Sequence, residues 1–225
     1  MTIILTNDDG IDAPGIQALS EAINGKGIFV APKQEWSGCG HRVTTTTPIH
    51  VEKRSQVAYA VGGTPADCVR LALWHLCPDV ELVLSGINGG GNLGVDSYIS
   101  GTIAAVREAA IHGIPAIAIS HYVKKPLPIN WEIATIWAGE VIEKLLTIPL
   151  EKGSFWSVNL PHLETGSPDP KIIFCPPAKN PLPIQYDQEG DNFYYVGEYA
   201  KRDRTPGSDV DICFSGNIAV TKWQF

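Results

Sequence analysis

Two adjacent carboxylates close the first apolar run of this chain. Ile3-Ile4-Leu5 leads through Thr6 into Asn7-Asp8-Asp9-Gly10. Carboxylates a few ångströms apart repel, and one is driven toward its protonated form unless a cation neutralises the pair. A hard divalent ion with oxygen ligands removes that cost. An Asp-Gly pair alone is ordinary turn chemistry. Here, however, the turn opens into a helical pattern rather than a returning strand, so a hairpin does not account for it. A second chemical signal lies at 85–102, SGINGGGNLGVDSYISGT, where five glycines fall between Gly86 and Gly94 with Asn88 and Asn92 among them. This stretch ends in Ser100-Gly101-Thr102 at the start of another helical pattern. A helix N-terminus presents unpaired N–H groups and a positive dipole end, which suit phosphate, and hydroxyls there add donors. No Gly-Lys-Ser/Thr follows, so it is not a Walker loop, and no clean G-x-G-x-x-G follows the first strand.

The loop at 31–44, APKQEWSGCGHRVT, adds three candidates. Ser37 offers a hydroxyl ligand and His41 a substrate contact. Arg42 carries a guanidinium that pairs with phosphate or stacks on a base. The six histidines show no zinc-site spacing. His75 and His112 lie within helical patterns and read as structural.

These residues need a frame. Short apolar runs at 2–6, 27–31, 57–61, 81–85 and 115–120 alternate with helical patterns at 14–24, 64–76, 101–112 and 130–147. Several of the runs are apolar throughout, as strands covered on both faces should be. Thr64-Pro65 followed by Asp67 makes a strong helix start. The pattern predicts a doubly wound, mostly parallel sheet over 1–150. In such sheets ligands bind beyond the carboxyl ends of the strands. That places Asp8-Asp9, loop 31–44, loop 85–102 and the SHY of 120–122 at one edge. After 150 the texture turns β-rich and continuous with the body. Strands are expected at 154–160 and 171–175, a proline-rich stretch at 176–185, an extended aromatic run at 192–199, and a last strand at 217–223.

Composition narrows the function. The chain has 225 residues, 44% hydrophobic and 18% charged, with a formal net charge of -7, which suits a globular enzyme-sized fold. No basic cluster exceeds Lys124-Lys125, so a nucleic-acid polymer is not the expected partner. The N-terminus has no basic leader and meets Asp8-Asp9 early, unlike a signal peptide. No apolar stretch approaches the roughly 18 residues of a membrane span. The five cysteines lack C-x-x-C spacing, which fits reduced thiols and a cytoplasmic protein.

The motifs LTNDDGIDAPGI (5–16), WSGCGHRVT (36–44), GTPADCV (63–69) and SGINGGGNLGVDSYISGTIAAVREA (85–109), with the weaker PGSDVDICFSGNIAVT (206–221), resemble the survival protein SurE family of metal-dependent 5′-nucleotidases. The match keeps the family's order and reaches across most of the chain. It implies a Rossmann-like α/β/α body over 1–150, and a C-terminal extension over 151–225 used in oligomers. It also implies release of phosphate from nucleoside 5′-monophosphates, sometimes from 3′-nucleotides or short polyphosphate. By the same resemblance Asp8, Asp9, Ser37 and Asn88 hold one divalent ion, Mg²⁺ or Mn²⁺, and Asn92 with Ser100-Gly101-Thr102 contacts the phosphate.

Two departures stand out. Trp36 precedes the motif serine where the family often has arginine. Arg42, beside His41, occupies a place often held by serine, and a changed loop there bears on substrate preference. The chain also ends at Phe225, soon after the last motif, so the tail-mediated subunit exchange of longer relatives is not expected. The aromatic arm at 176–203 predicts a homodimer or homotetramer. Asp8 serves as nucleophile or Asp9 orients a water; the residues leave both open. The rival reading is a receiver-like or nucleotide-binding module that holds Mg²⁺ and phosphate without turnover. A receiver needs an aspartate at the end of a central strand, where this chain reads Ser85-Gly86-Ile87-Asn88.

Overall fold

A computed structural model describes residues 1–164 and 166–225. The first strand, β1 (Thr2–Thr6), runs into α1 (Pro14–Ala22). Proline in the first turn of α1 occupies a position whose N–H would have no intrahelical partner. Asn24 and Gly25 end it with positive φ, at 57° and 68°, the left-handed geometry that closes helices. β2 (Gly27–Pro32), β3 (Val51–Ser55) and β4 (Ala58–Val61) follow. α2 (Pro65–Leu71) starts on a capping box in which Thr64 accepts from the Asp67 amide and Asp67 accepts from the Thr64 amide. The predicted helix over 64–76 is therefore α-helical only to Leu71, and Ala72–Leu76 continue as a π-helical turn.

β5 (Val80–Asn88), α3 (Gly101–Ile111), β6 (Ala116–His121), α4 (Trp131–Leu146) and β7 (Ser154–Leu160) complete the α/β alternation. Then come β8 (Ile172–Phe174), a hairpin of β9 (Tyr186–Glu189) and β10 (Asn192–Tyr195), the short α5 (Asp209–Phe214), and β11 (Ile218–Gln224). Among the described residues nine strands form one sheet in the order β3-β4-β2-β1-β5-β6-β7-β11-β8. From β4 to β7 every pairing is parallel. β3 lies antiparallel on the β4 edge, and β11 antiparallel on β7. The result is Rossmann-like: β1 and β5 lie side by side while the chain winds away from them in both directions.

Side chains of β1 alternate between two cores. Ile3 and Leu5 pack with residues of α1 and α4, whereas Ile4 packs with residues of α2 and α3. Helices thus cover both faces, as uniformly apolar strands require. Gly15 is a close-approach position: a Cβ there would lie 1.9 Å from the Ile87 carbonyl oxygen, so only glycine lets α1 lie against β5.

Several expectations are corrected. Val51–Ser55 is a strand although VEKRS has no apolar alternation; it is a half-exposed edge, where pairing with β4 rather than burial sets the structure. The expected strand at 171–175 shrinks to 172–174, and the aromatic run at 192–199 is a strand only to Tyr195. Asp209–Phe214 forms a helix that periodicity missed because it is six residues long. Every residue of the β9–β10 hairpin is exposed. Among the described residues no helix is long and apolar enough to cross a membrane.

Candidate active site

Three loops meet at the carboxyl ends of β1, β2 and β5. The turn after β1 is locked by its own chemistry: the Asn7 side chain donates to the Gly10 carbonyl at 2.8 Å, and the Ile11 amide donates to the Pro32 carbonyl at 2.8 Å. The Trp36 amide donates to the Asp8 carbonyl at 2.7 Å, fixing the loop after β2 against the acidic pair. The Gly89 amide, just past β5, donates to Asp9 Oδ2 at 3.4 Å. From α3, Thr102 Oγ1 donates to Asp8 Oδ1 at 2.5 Å.

That last contact joins the two chemical signals read from the sequence. Ser100 caps α3 by accepting from the Ile103 amide, and the first turn of the helix carries no acid of its own. The negative charge at this positive dipole end comes instead from Asp8. The approach is close. A Cβ on Gly101 would fall 2.8 Å from Asp8 Cβ and 3.0 Å from Cys39 Sγ, so the glycine of Ser100-Gly101-Thr102 admits the carboxylate.

Asp8 is 4% exposed. Burial pushes its carboxyl up to about 6, against the Thr102 hydrogen bond, which lowers it, and with the charge of Asp9, which raises it further. Asp9 is half-buried, and burial raises its carboxyl too, opposed by the Gly89 amide and reinforced by the charge of Glu35. Burial is the main cause in both, and Asp9 adds a smaller like-charge push on Asp8.

Ser37 is exposed, and its hydroxyl donates to Glu35 Oε1 at 2.7 Å. The Asn88 amide nitrogen donates to the Gly90 carbonyl at 2.7 Å, which leaves its oxygen for a ligand. Asn92 is buried; its side chain donates to Ser120 Oγ at 2.8 Å. The Arg42 guanidinium stacks over the Trp36 ring, 5.5 Å from its centroid. His41 Nε2 lies 2.7 Å from Glu108 Oε2. Glu108 is buried and also faces Arg70 and His112. Burial raises its carboxyl, but hydrogen bonds from the two histidines and the nearby charges outweigh that and hold it below the usual range. His41 is thus tied to α3.

Sequence reasoning missed the residues that hold the glycine-rich loop. Asn159 of β7 accepts from the Asn92 amide at 2.8 Å and donates to the Asn92 carbonyl at 3.1 Å. Asp96 accepts from Tyr199 at 2.5 Å and from Arg202 at 2.7 Å, and Arg202 also donates to the Leu93 carbonyl at 3.2 Å. Asp209, at the start of α5, accepts from the Gly94 amide at 2.6 Å. The available signals were an asparagine inside SFWSVNL and Asp209 within PGSDVDIC; Tyr199 and Arg202 are recognisable only through contacts about a hundred residues apart.

Fold and site together define an α/β protein whose acidic pair abuts a helix start at the topological switch point, the ligand position of this architecture. The survival protein SurE family profile matches residues 3–180, and the chain belongs to that family. It is 38% identical over 234 residues to the 5′-nucleotidase SurE of Paramagnetospirillum magneticum, covering 100% of this chain and 90% of that protein. A Nostoc sp. protein provisionally named a 5′-nucleotidase is 62% identical over 223 residues, covering 99% of each. The crystal structure of the SurE protein from Aquifex aeolicus superposes with a TM-score of 0.88 at 32% identity, covering 100% of this chain and 93% of that one.

Proposed function

We propose that this protein is a metal-dependent phosphatase that hydrolyses nucleoside 5′-monophosphates to nucleoside and phosphate. The observation that carries the reading is the contact of Asp8 with Thr102, which brings an acidic pair against the start of α3. The resemblance to proteins named 5′-nucleotidase SurE supports the substrate class.

The residues fit a divalent cation. Asp8, Asp9, Ser37 and Asn88 are hard oxygen donors, and burial raises the Asp8 carboxyl, a cost that a bound cation would offset. Bound there, Mg²⁺ or Mn²⁺ would supply Lewis acidity toward a phosphoryl oxygen and lower the pKa of bound water.

The chain's own groups do the rest. The amides at the start of α3, with the hydroxyl of Ser100, hold the phosphate oxygens and the charge that develops on them. Asn92 adds a polar contact from a loop that Asn159 keeps rigid. Thr102 fixes one oxygen of Asp8 and leaves the other beside Gly101. Asp9 is more exposed and accepts from the Gly89 amide, and in this reading it orients a water. The Arg42–Trp36 stack and His41 form the flank of the site on the loop after β2.

The direct test is phosphate release from AMP. Activity is expected with Mn²⁺ or Mg²⁺, to be abolished by EDTA, and to return on adding metal. Full turnover in a metal-stripped sample would refute the metal-dependent reading, and no turnover with any nucleoside monophosphate would refute the phosphatase.

A further inference from the structure

A cavity of about 980 Å³ opens beside the phosphate site, and none of the residues assigned above lines it. It lies where the 122–130 loop, the first turns of α4 and the segment after β7 converge. Its apolar wall includes Ile129, Trp131, Ile133 and Leu163; His121 and His162 line it too, and Asn130, Glu132, Glu164, Ser167 and Asp169 complete a polar side. Its size is within the usual range for a small-molecule pocket, and its lining joins an apolar wall to a polar side. Two contacts place it next to the acidic pair. Ile129 Cδ1 lies 3.9 Å from where a Cβ on Gly89 would stand, and the Gly89 amide contacts Asp9. On the other side, Trp131 lies 3.3 Å from the corresponding point on Gly15, in the helix that follows the Asp8-Asp9 turn. Gly89 and Gly90 carry no side chain between the two compartments.

The two histidines are set in opposite tautomers by backbone partners. His121 Nδ1 is 2.7 Å from the Tyr122 carbonyl. A carbonyl only accepts, so Nδ1 carries the proton and Nε2 is left as an acceptor. Burial, with the neighbouring His162 charge also acting against protonation, pulls the His121 ring down to about 4, despite the Tyr122 hydrogen bond, and keeps it neutral. His162 is the converse. The Lys124 amide donates to its Nδ1 at 3.0 Å, so Nδ1 is bare and Nε2–H is a donor. The rings pack edge to face with centroids 5.2 Å apart. One ring acceptor and one ring donor are therefore available among the groups that line the pocket.

We propose that this cavity binds the nucleoside portion of the substrate, with His121 Nε2 accepting from and His162 Nε2–H donating to adjacent positions on the edge of a nucleobase. Every nucleobase carries a neighbouring donor and acceptor, as the exocyclic amine and ring nitrogen of adenine do. Ile129, Trp131 and Ile133 supply the apolar contact for its faces. The assignment rests on the phosphatase reading for the identity of the ligand, and its test is chosen to fail separately.

Adenosine, which has no phosphate, is titrated into protein with isotope-labelled histidine. The ring resonances of His121 and His162 are expected to shift saturably, and His162→Ala is expected to weaken binding roughly tenfold, one hydrogen bond at about 1.4 kcal/mol. No histidine shift, or equal affinity in the variant, would overturn the proposal. In turnover, the ratio of kcat/KM for AMP over ribose 5-phosphate is expected to fall roughly tenfold in His162→Ala, while His162→Gln, which keeps an N–H donor, retains most of it. An unchanged ratio in His162→Ala would overturn the pocket assignment while leaving the phosphatase standing. If the wild-type protein hydrolyses neither compound, the phosphatase reading fails, and the adenosine titration still decides the pocket.

Discussion

Removing the charge of Asp8 should stabilise the metal-free protein. In the folded chain the Asp8 carboxyl is raised from 3.8 to about 6, chiefly by burial, and its side chain is almost wholly enclosed. A folded pKa above the unfolded one means that the native state prefers the proton. The contribution is favourable below 3.8 and is lost as pH rises through 6. At pH 8, without a cation, the charged form costs on the order of 3 kcal/mol, at about 1.4 kcal/mol per unit. Asp8→Asn is near-isosteric, keeps an oxygen to accept from Thr102, and abolishes that cost. In a domain of this size about 3 kcal/mol corresponds to a Tm rise of roughly 6–12 °C. The assay is thermal unfolding of both proteins in EDTA between pH 4 and pH 8. The variant should be the more stable at pH 8, with the advantage shrinking as pH falls through 6 and vanishing below 3.8. Adding Mn²⁺ should raise the Tm of the wild-type protein much more than that of the variant. A variant no more stable than wild type at pH 8 in EDTA would refute the claim that Asp8 carries an uncompensated charge.

Asp9→Asn should lower kcat on AMP by at least about a hundredfold, some 2.7 kcal/mol of barrier, in a normally folded protein; near-normal turnover would move the chemistry away from this pair. Thr102→Val removes the donor that orients Asp8 at the start of α3 and should weaken Mn²⁺ binding more than inhibition by free phosphate; an unchanged Mn²⁺ affinity would count against that role. Arg202→Ala leaves the buried Asp96 without its cation and should cost about 3 kcal/mol or more of stability in a denaturant titration. The β9–β10 hairpin exposes Tyr186, Phe193, Tyr194 and Tyr195, an aromatic surface typical of interfaces. Light scattering should therefore give at least a dimer that is lost on deleting 180–203, whereas a mass near 24.3 kDa at micromolar concentration would contradict that.

What the sequence disclosed followed from how local each signal is. Asp8-Asp9-Gly10 and Ser100-Gly101-Thr102 state their chemistry within a few residues, and the apolar runs around them announce buried parallel strands. Their meeting through Thr102 and Asp8, 94 residues apart, required only the rule that such sheets bind ligands at their carboxyl ends. The missed features lack local signals. VEKRS is a strand because β4 offers it an edge. α5 is too short for a periodic pattern, though Ser208 caps it. Asn159, Tyr199 and Arg202 hold the glycine-rich loop from 67, 103 and 106 residues away, and no spacing rule links them to it. Arg42 shows a further limit. Its side chain could stack or pair, and only the fold put the Trp36 ring beneath it.

The central claim is that one divalent cation sits between Asp8 and Asp9 and presents a phosphate to the start of α3. Crystals grown with Mn²⁺ and inorganic phosphate test it most directly, because manganese is located by its anomalous scattering. The account predicts one strong peak within about 2.5 Å of a carboxylate oxygen of both Asp8 and Asp9, with phosphate density against the amides of Gly101 and Thr102. Manganese bound elsewhere, or an acidic pair left without metal at saturating Mn²⁺, would contradict it.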